Sequence, residues 1–83
     1  VHVLVIPKGP YVSFADFARE ADAESVAGFF QAVNTTAREL GLEPQGYRIL
    51  ANHGRAARQE VPHFHVHIFG GADLGPMITR TAG

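Results

Sequence analysis

Apolar and polar positions alternate near both ends of the chain and recur at helical spacing between them. Val1-His2-Val3-Leu4-Val5-Ile6 is rich in β-branched residues and stops at Pro7, with Gly9-Pro10 behind it. This predicts a strand over 1–6 followed by a turn. Ser13 to Phe17 reads as a single helical turn capped by Ser13. Asp22 is placed to cap a longer helix running to about Leu40. Within it Val26, Phe30, Val33, Ala37 and Leu40 recur at spacings of four, three, four and three, one apolar stripe on a helix of period about 3.6. Arg38 suits the negative end of the helix dipole, and Gly41 suits the residue just past it. Gly46 to Asn52 predicts a second strand, His53 to Glu60 a polar loop, and Val61 to Phe69 a third strand ended by Gly70-Gly71. Ala72 to Gly83 has little periodicity and reads as loop and tail. This order predicts an α+β fold with the last two strands as antiparallel neighbours.

With 83 residues, a single domain is expected, and 46% apolar residues suffice for a packed core rather than a disordered chain. So small a core is marginal by itself. The chain has no cysteine, which removes disulfides and thiolate-ligated metals as sources of stability. Pairing of copies or further chain would supply it. A net charge of −1 and a pI near 6.5 speak against a nucleic-acid surface. No apolar run approaches the roughly 20 residues that cross a bilayer. No basic segment precedes the first strand as it would in a signal peptide, so a cytoplasmic location is expected. The chain opens without Met and already in a strand, and the expectation is that residues lie upstream.

The segment Gln59-Glu60-Val61-Pro62-His63-Phe64-His65-Val66-His67-Ile68-Phe69 holds three of the five histidines. Side chains alternate along a strand, so His63, His65 and His67 share one face, and Phe64, Val66 and Ile68 share the other. The second set is the one that would cover a core. Three readings of the imidazole row stand side by side. It is a solvated strand face; or it binds zinc; or it is catalytic. Zinc is hampered by geometry, since the outer pair lie about 13 Å apart at Cα on a straight strand, and a third ligand would have to come from elsewhere, for example His2 or Glu60. In the catalytic reading one neutral imidazole attacks phosphorus while its neighbours orient it and handle protons.

His63-Phe64-His65-Val66-His67-Ile68-Phe69 resembles the His-φ-His-φ-His-φ-φ signature of histidine-triad (HIT) proteins, φ being apolar. Further segments follow in matching order: His2 to Lys8, Gly41-Leu42 through Gly46-Tyr47-Arg48, Asn52-His53-Gly54, Gln59 to Pro62, and Gly70-Gly71. The whole chain is similar to the Hint-like, purine nucleoside phosphoramidase-like branch in a bacterial form. The resemblance implies a HIT-like antiparallel sheet with one long helix packed on it, here the C-terminal portion of a single HIT domain. It implies His65 as the nucleophile that forms a nucleotidyl-histidine intermediate. His63 would hold the other ring nitrogen of His65 or contact phosphate, and His67 would hydrogen-bond near the leaving group or the phosphate. His2 matches a fourth family histidine beside the triad. Asn52, Gln59, Glu60 and Val61 fall where contacts to phosphate or leaving group are implied. The substrate implied is a nucleoside 5′-phosphoramidate or related purine nucleotide conjugate, with dinucleoside polyphosphate hydrolysis and non-catalytic nucleotide binding as alternatives. No cofactor is required, and a homodimer is implied.

Two positions depart from the family pattern. Glu60 stands where some members carry a hydroxyl that donates a hydrogen bond; an ionised carboxylate cannot, and it would instead orient a histidine or select a cationic leaving amine. Arg58 stands where many members have Gly; its bulk or charge would alter the phosphate loop, or its side chain would point to solvent, and the solvent position is the one expected. His53 has no role carried over and is expected at the surface.

Overall fold

A computed structural model describes residues 1–78. The elements in chain order are β1 (His2–Val5), α1 (Phe14–Glu20), α2 (Ala23–Glu39), β2 (Tyr47–Leu50) and β3 (Val66–Gly70). They form a three-stranded antiparallel sheet in the order β1-β3-β2, so the last strand in sequence lies in the middle. One face of the sheet carries the helices. Phe64, Val66 and Ile68 are buried there with Phe17 of α1, Phe29, Val33 and Ala37 of α2, and Leu42. The alternation in the histidine segment is therefore obeyed: its apolar residues enter the core, and the imidazoles do not.

α2 ends at both sides as its residues dictate. The Asp22 carboxylate accepts the Ser25 N–H at 2.7 Å, satisfying one of the free donors of the first turn. At the other end Gly41 takes φ 73°, its N–H donates to the Arg38 carbonyl, and the Leu42 N–H reaches back to Ala37. This paired closure needs a left-handed residue, which Gly supplies without a steric penalty. It also turns the chain so that Leu42 drops into the core against Gly70, where an added Cβ would meet both Leu42 methyls at 3.0 Å.

The structure corrects the sequence reading in four places. α1 runs on to Glu20, and Ser13 occupies the cap position without a side-chain cap bond. The buried stripe of α2 keeps Val33 and Ala37, with Val26 packed against it, but passes through Phe29 rather than Phe30; Phe30 and Leu40 lie at its margins and are exposed. β2 stops at Leu50, leaving Asn52 in the following loop. β3 begins at Val66, not Val61, and extends to Gly70. Pro62 has no N–H, the His63 N–H closes a tight turn onto the Val61 carbonyl at 2.8 Å, and the Phe64 N–H is taken by the Tyr11 carbonyl at 2.7 Å. Residues 61–65 therefore approach the sheet as an ordered loop. Residues 71–78 contain no helix or strand, in keeping with a loop; the remainder of the predicted tail lies outside the described residues.

Candidate active site

The face of the sheet turned away from the helices gathers the histidines. Register places His2 opposite Phe69 and Leu4 opposite His67, so the outward side chains of β1 and β3 stand together. The His2 ring stacks on Phe69 with centroids 4.2 Å apart, and its Nε2 lies 2.8 Å from Nδ1 of His67. His67 in turn meets the His65 ring edge to face at 4.8 Å. The rings of His2, His65, His67 and Phe69 thus form one continuous surface.

Each imidazole has a different hydrogen-bond setting. Nδ1 of His65 is 2.8 Å from the His63 carbonyl. A carbonyl only accepts, so Nδ1 carries the proton and donates, and Nε2 of the neutral ring is left with a lone pair. His63 is held likewise, its Nδ1 donating to the Phe64 carbonyl at 3.0 Å. It is thus the backbone of His63, not its imidazole, that grips the nucleophile candidate. The His2–His67 contact joins two imidazole nitrogens, and with both rings neutral one donates to the other. Nε2 of His67 is completely covered and has no hydrogen-bond partner among the described residues. His67 is also harder to protonate than an ordinary histidine, first because burial disfavours its charged form, then because His65 and His2 repel a further charge.

The loop joining β2 to β3 is held in place through Gln59. Its Oε1 accepts the Gly54 N–H at 2.9 Å, and its Nε2 donates to the Val12 carbonyl at 2.6 Å and the Val61 carbonyl at 3.1 Å. Both ends of this amide are engaged with backbone, so Gln59 acts as a clasp that ties the loop to the segment before α1. Asn52 is half-buried in the same loop, whereas Glu60 and Val61 are exposed. His53, expected at the surface, is exposed, but its Nδ1 accepts the Ala15 N–H at 3.4 Å and so stands in for the cap that Ser13 does not make. Nothing in the composition of the loop flagged that contact or the clasp; both depend on segments 38 and 47 residues apart in sequence meeting. Among the described residues no group of three or more His, Cys, Asp or Glu side chains is arranged to hold a metal ion.

An antiparallel α+β sheet with a row of imidazoles on its open face, one of them fixed as a free nitrogen base, defines a histidine-triad protein. The HIT domain family profile matches residues 1–74, and the chain belongs to that family. It is 54% identical over 79 residues to an uncharacterized 13.2 kDa HIT-like protein of Azospirillum brasilense, covering 95% of this chain and 65% of that relative's length. It is 32% identical over 79 residues to the purine nucleoside phosphoramidase of Escherichia coli, covering 95% of this chain and 66% of that protein. Among solved structures, a HIT family hydrolase from Clostridium thermocellum superposes with a TM-score of 0.82 at 40% identity, over 95% of this chain and 68% of that one. The fold is therefore the HIT fold, and the chain spans about two thirds of the length of these relatives.

Proposed function

We propose that the chain carries the catalytic histidines of a cytoplasmic, homodimeric hydrolase that cleaves purine nucleoside 5′-phosphoramidates or related conjugates at the α-phosphate. The observation that carries this reading is the 2.8 Å bond from His65 Nδ1 to the His63 carbonyl, which leaves Nε2 with its lone pair. In the first step Nε2 forms a bond to phosphorus, the phosphorus–nitrogen bond of the substrate breaks, and the amine leaves with a proton. In the second step water attacks phosphorus, the bond to Nε2 breaks, and nucleoside monophosphate departs with the imidazole regenerated. When His2 donates to Nδ1 of His67, Nε2 of His67 carries a proton, and this N–H, covered and without a partner among the described residues, meets a substrate oxygen or the leaving amine once a covering side chain shifts. The depressed basicity of His67 keeps that ring neutral while it serves. The chemistry needs no cofactor. Pairing of two copies is supported by Phe30 and Leu40, apolar side chains that α2 leaves exposed beside a small core.

The test is intact mass spectrometry of the full-length protein after a brief acid quench with excess adenosine 5′-phosphoramidate, beside the His65→Ala variant. An adenylyl adduct on the wild type and not on the variant is expected. Near-normal hydrolysis by His65→Ala would remove His65 as nucleophile.

A further inference from the structure

The loop between β2 and β3 contains the one non-glycine residue at positive φ among the described residues, Arg58 at 57°. A side chain in this conformation crowds its own backbone, and Gly would take it freely. Strain of this kind persists where the side chain has a use. Arg58 is exposed, and its N–H closes a turn onto the carbonyl of Arg55, also exposed. Such a turn holds its first and last Cα atoms within about 7 Å, so two guanidinium-bearing residues stand close together on the loop. Among the described residues the ion pairs are those of Arg19, and neither Arg55 nor Arg58 is matched by a carboxylate, Glu60 included.

The turn is not a loose tether. The Gln59 N–H donates to the Gly54 carbonyl at 3.0 Å, and the Gln59 side chain returns to Gly54, Val12 and Val61. Topology puts it at the right place. β2 and β3 are antiparallel with Leu50 opposite His67, so the loop from 51 to 65 lies at the end of the sheet where His65 sits. An anchored pair of cations at that end, in a chain whose net charge is −1, is arranged to meet an anion from outside.

We propose that Arg55 and Arg58 form a specificity site for a negatively charged group on the leaving portion of the substrate, so that the protein favours nucleotide conjugates of acidic amines. The inference rests on the hydrolase reading above. The experiment compares kcat/KM of the full-length protein on three adenosine 5′-phosphoramidates, those of aspartate, alanine amide and lysine amide. Wild type is expected to favour the aspartate conjugate. Arg58→Gly is expected to lower the aspartate-to-alanine amide ratio about three- to fivefold, through KM rather than kcat, as for one solvent-screened ion pair. Arg58→Lys should keep part of the preference, and added salt should erode it. Melting at or above the wild-type temperature would show that Arg58→Gly acts on recognition and not on folding, since it relieves the strained backbone. An unchanged ratio in Arg58→Gly, or a wild-type preference for the lysine amide conjugate, overturns the site. Failure of wild type to turn over any of the three overturns the hydrolase reading, and the site falls with it.

Discussion

Gln59 separates two roles that a glutamine beside a phosphate site can play. The family resemblance implies a contact to phosphate or leaving group, whereas in the structure its amide oxygen and both amide hydrogens are bonded to the backbone of residues 54, 12 and 61. Gln59→Ala deletes three hydrogen bonds. At roughly 1 kcal/mol net each, with partial rescue by water at the exposed ends, the loss is about 2–3 kcal/mol. A chain of this size holds on the order of 4–12 kcal/mol in all, so the loss is a large fraction. It corresponds to a fall in melting temperature of roughly 10–20 °C. Gln59→Glu is the sharper probe. The new carboxylate keeps the acceptor for Gly54 but sets negative charge against the carbonyls of Val12 and Val61. Its ionised form is disfavoured in the folded state, so its pKa is raised there. Stability of this variant should then be greatest below the unfolded carboxylate range and fall as pH rises through the raised folded value. Thermal melts from pH 4 to 8, read by circular dichroism, check both variants against wild type. A Gln59→Ala protein that melts with wild type while losing turnover would refute the clasp and restore the phosphate contact.

The core and the histidine surface give three further predictions. Ile68 has no exposed surface at the centre of the middle strand, so Ile68→Ala should cost about 3–4 kcal/mol by denaturant titration, with an unchanged slope; a loss under 1 kcal/mol would mean the core closes around the gap. His67 should titrate below 6.5 by NMR, since burial, His65 and His2 all disfavour its charge. Its folded pKa is depressed, so the associated stability is fully present above 6.5 and declines as pH falls through the folded value. His2→Ala should move that titration upward by removing one repelling ring and admitting water, and an unmoved titration would disconnect the pair.

Much of this protein is local in origin. The alternation of His63, His65 and His67 with Phe64, Val66 and Ile68 sorts imidazoles from core with no help from the rest of the chain, because successive side chains of an extended segment point to opposite sides. Asp22 and Gly41 mark the ends of α2 because capping acts within a few residues. The expected face of α2 was less secure. Phe29 and Phe30 are adjacent and equally apolar, and which one is buried depends on how the helix is rotated against Phe17 and Phe64.

The start of β3 was hidden for a similar reason. Alternation continues through Pro62 to His65, but the Phe64 N–H finds the carbonyl of Tyr11, 53 residues earlier, instead of a neighbouring strand. The His2–His67 bond, the Gln59 clasp and the His53 contact with α1 likewise join residues 65, 47 and 38 positions apart. The sequence by itself determined which residues are apolar, where α2 begins and ends, and that three histidines share a face. Only the tertiary structure decided which carbonyl holds His65, which ring partners His67, and that Arg58 stands where Gly would be unstrained. Periodicity and capping act over one or two turns of chain, whereas these contacts exist only once the sheet has brought distant segments within a few ångströms.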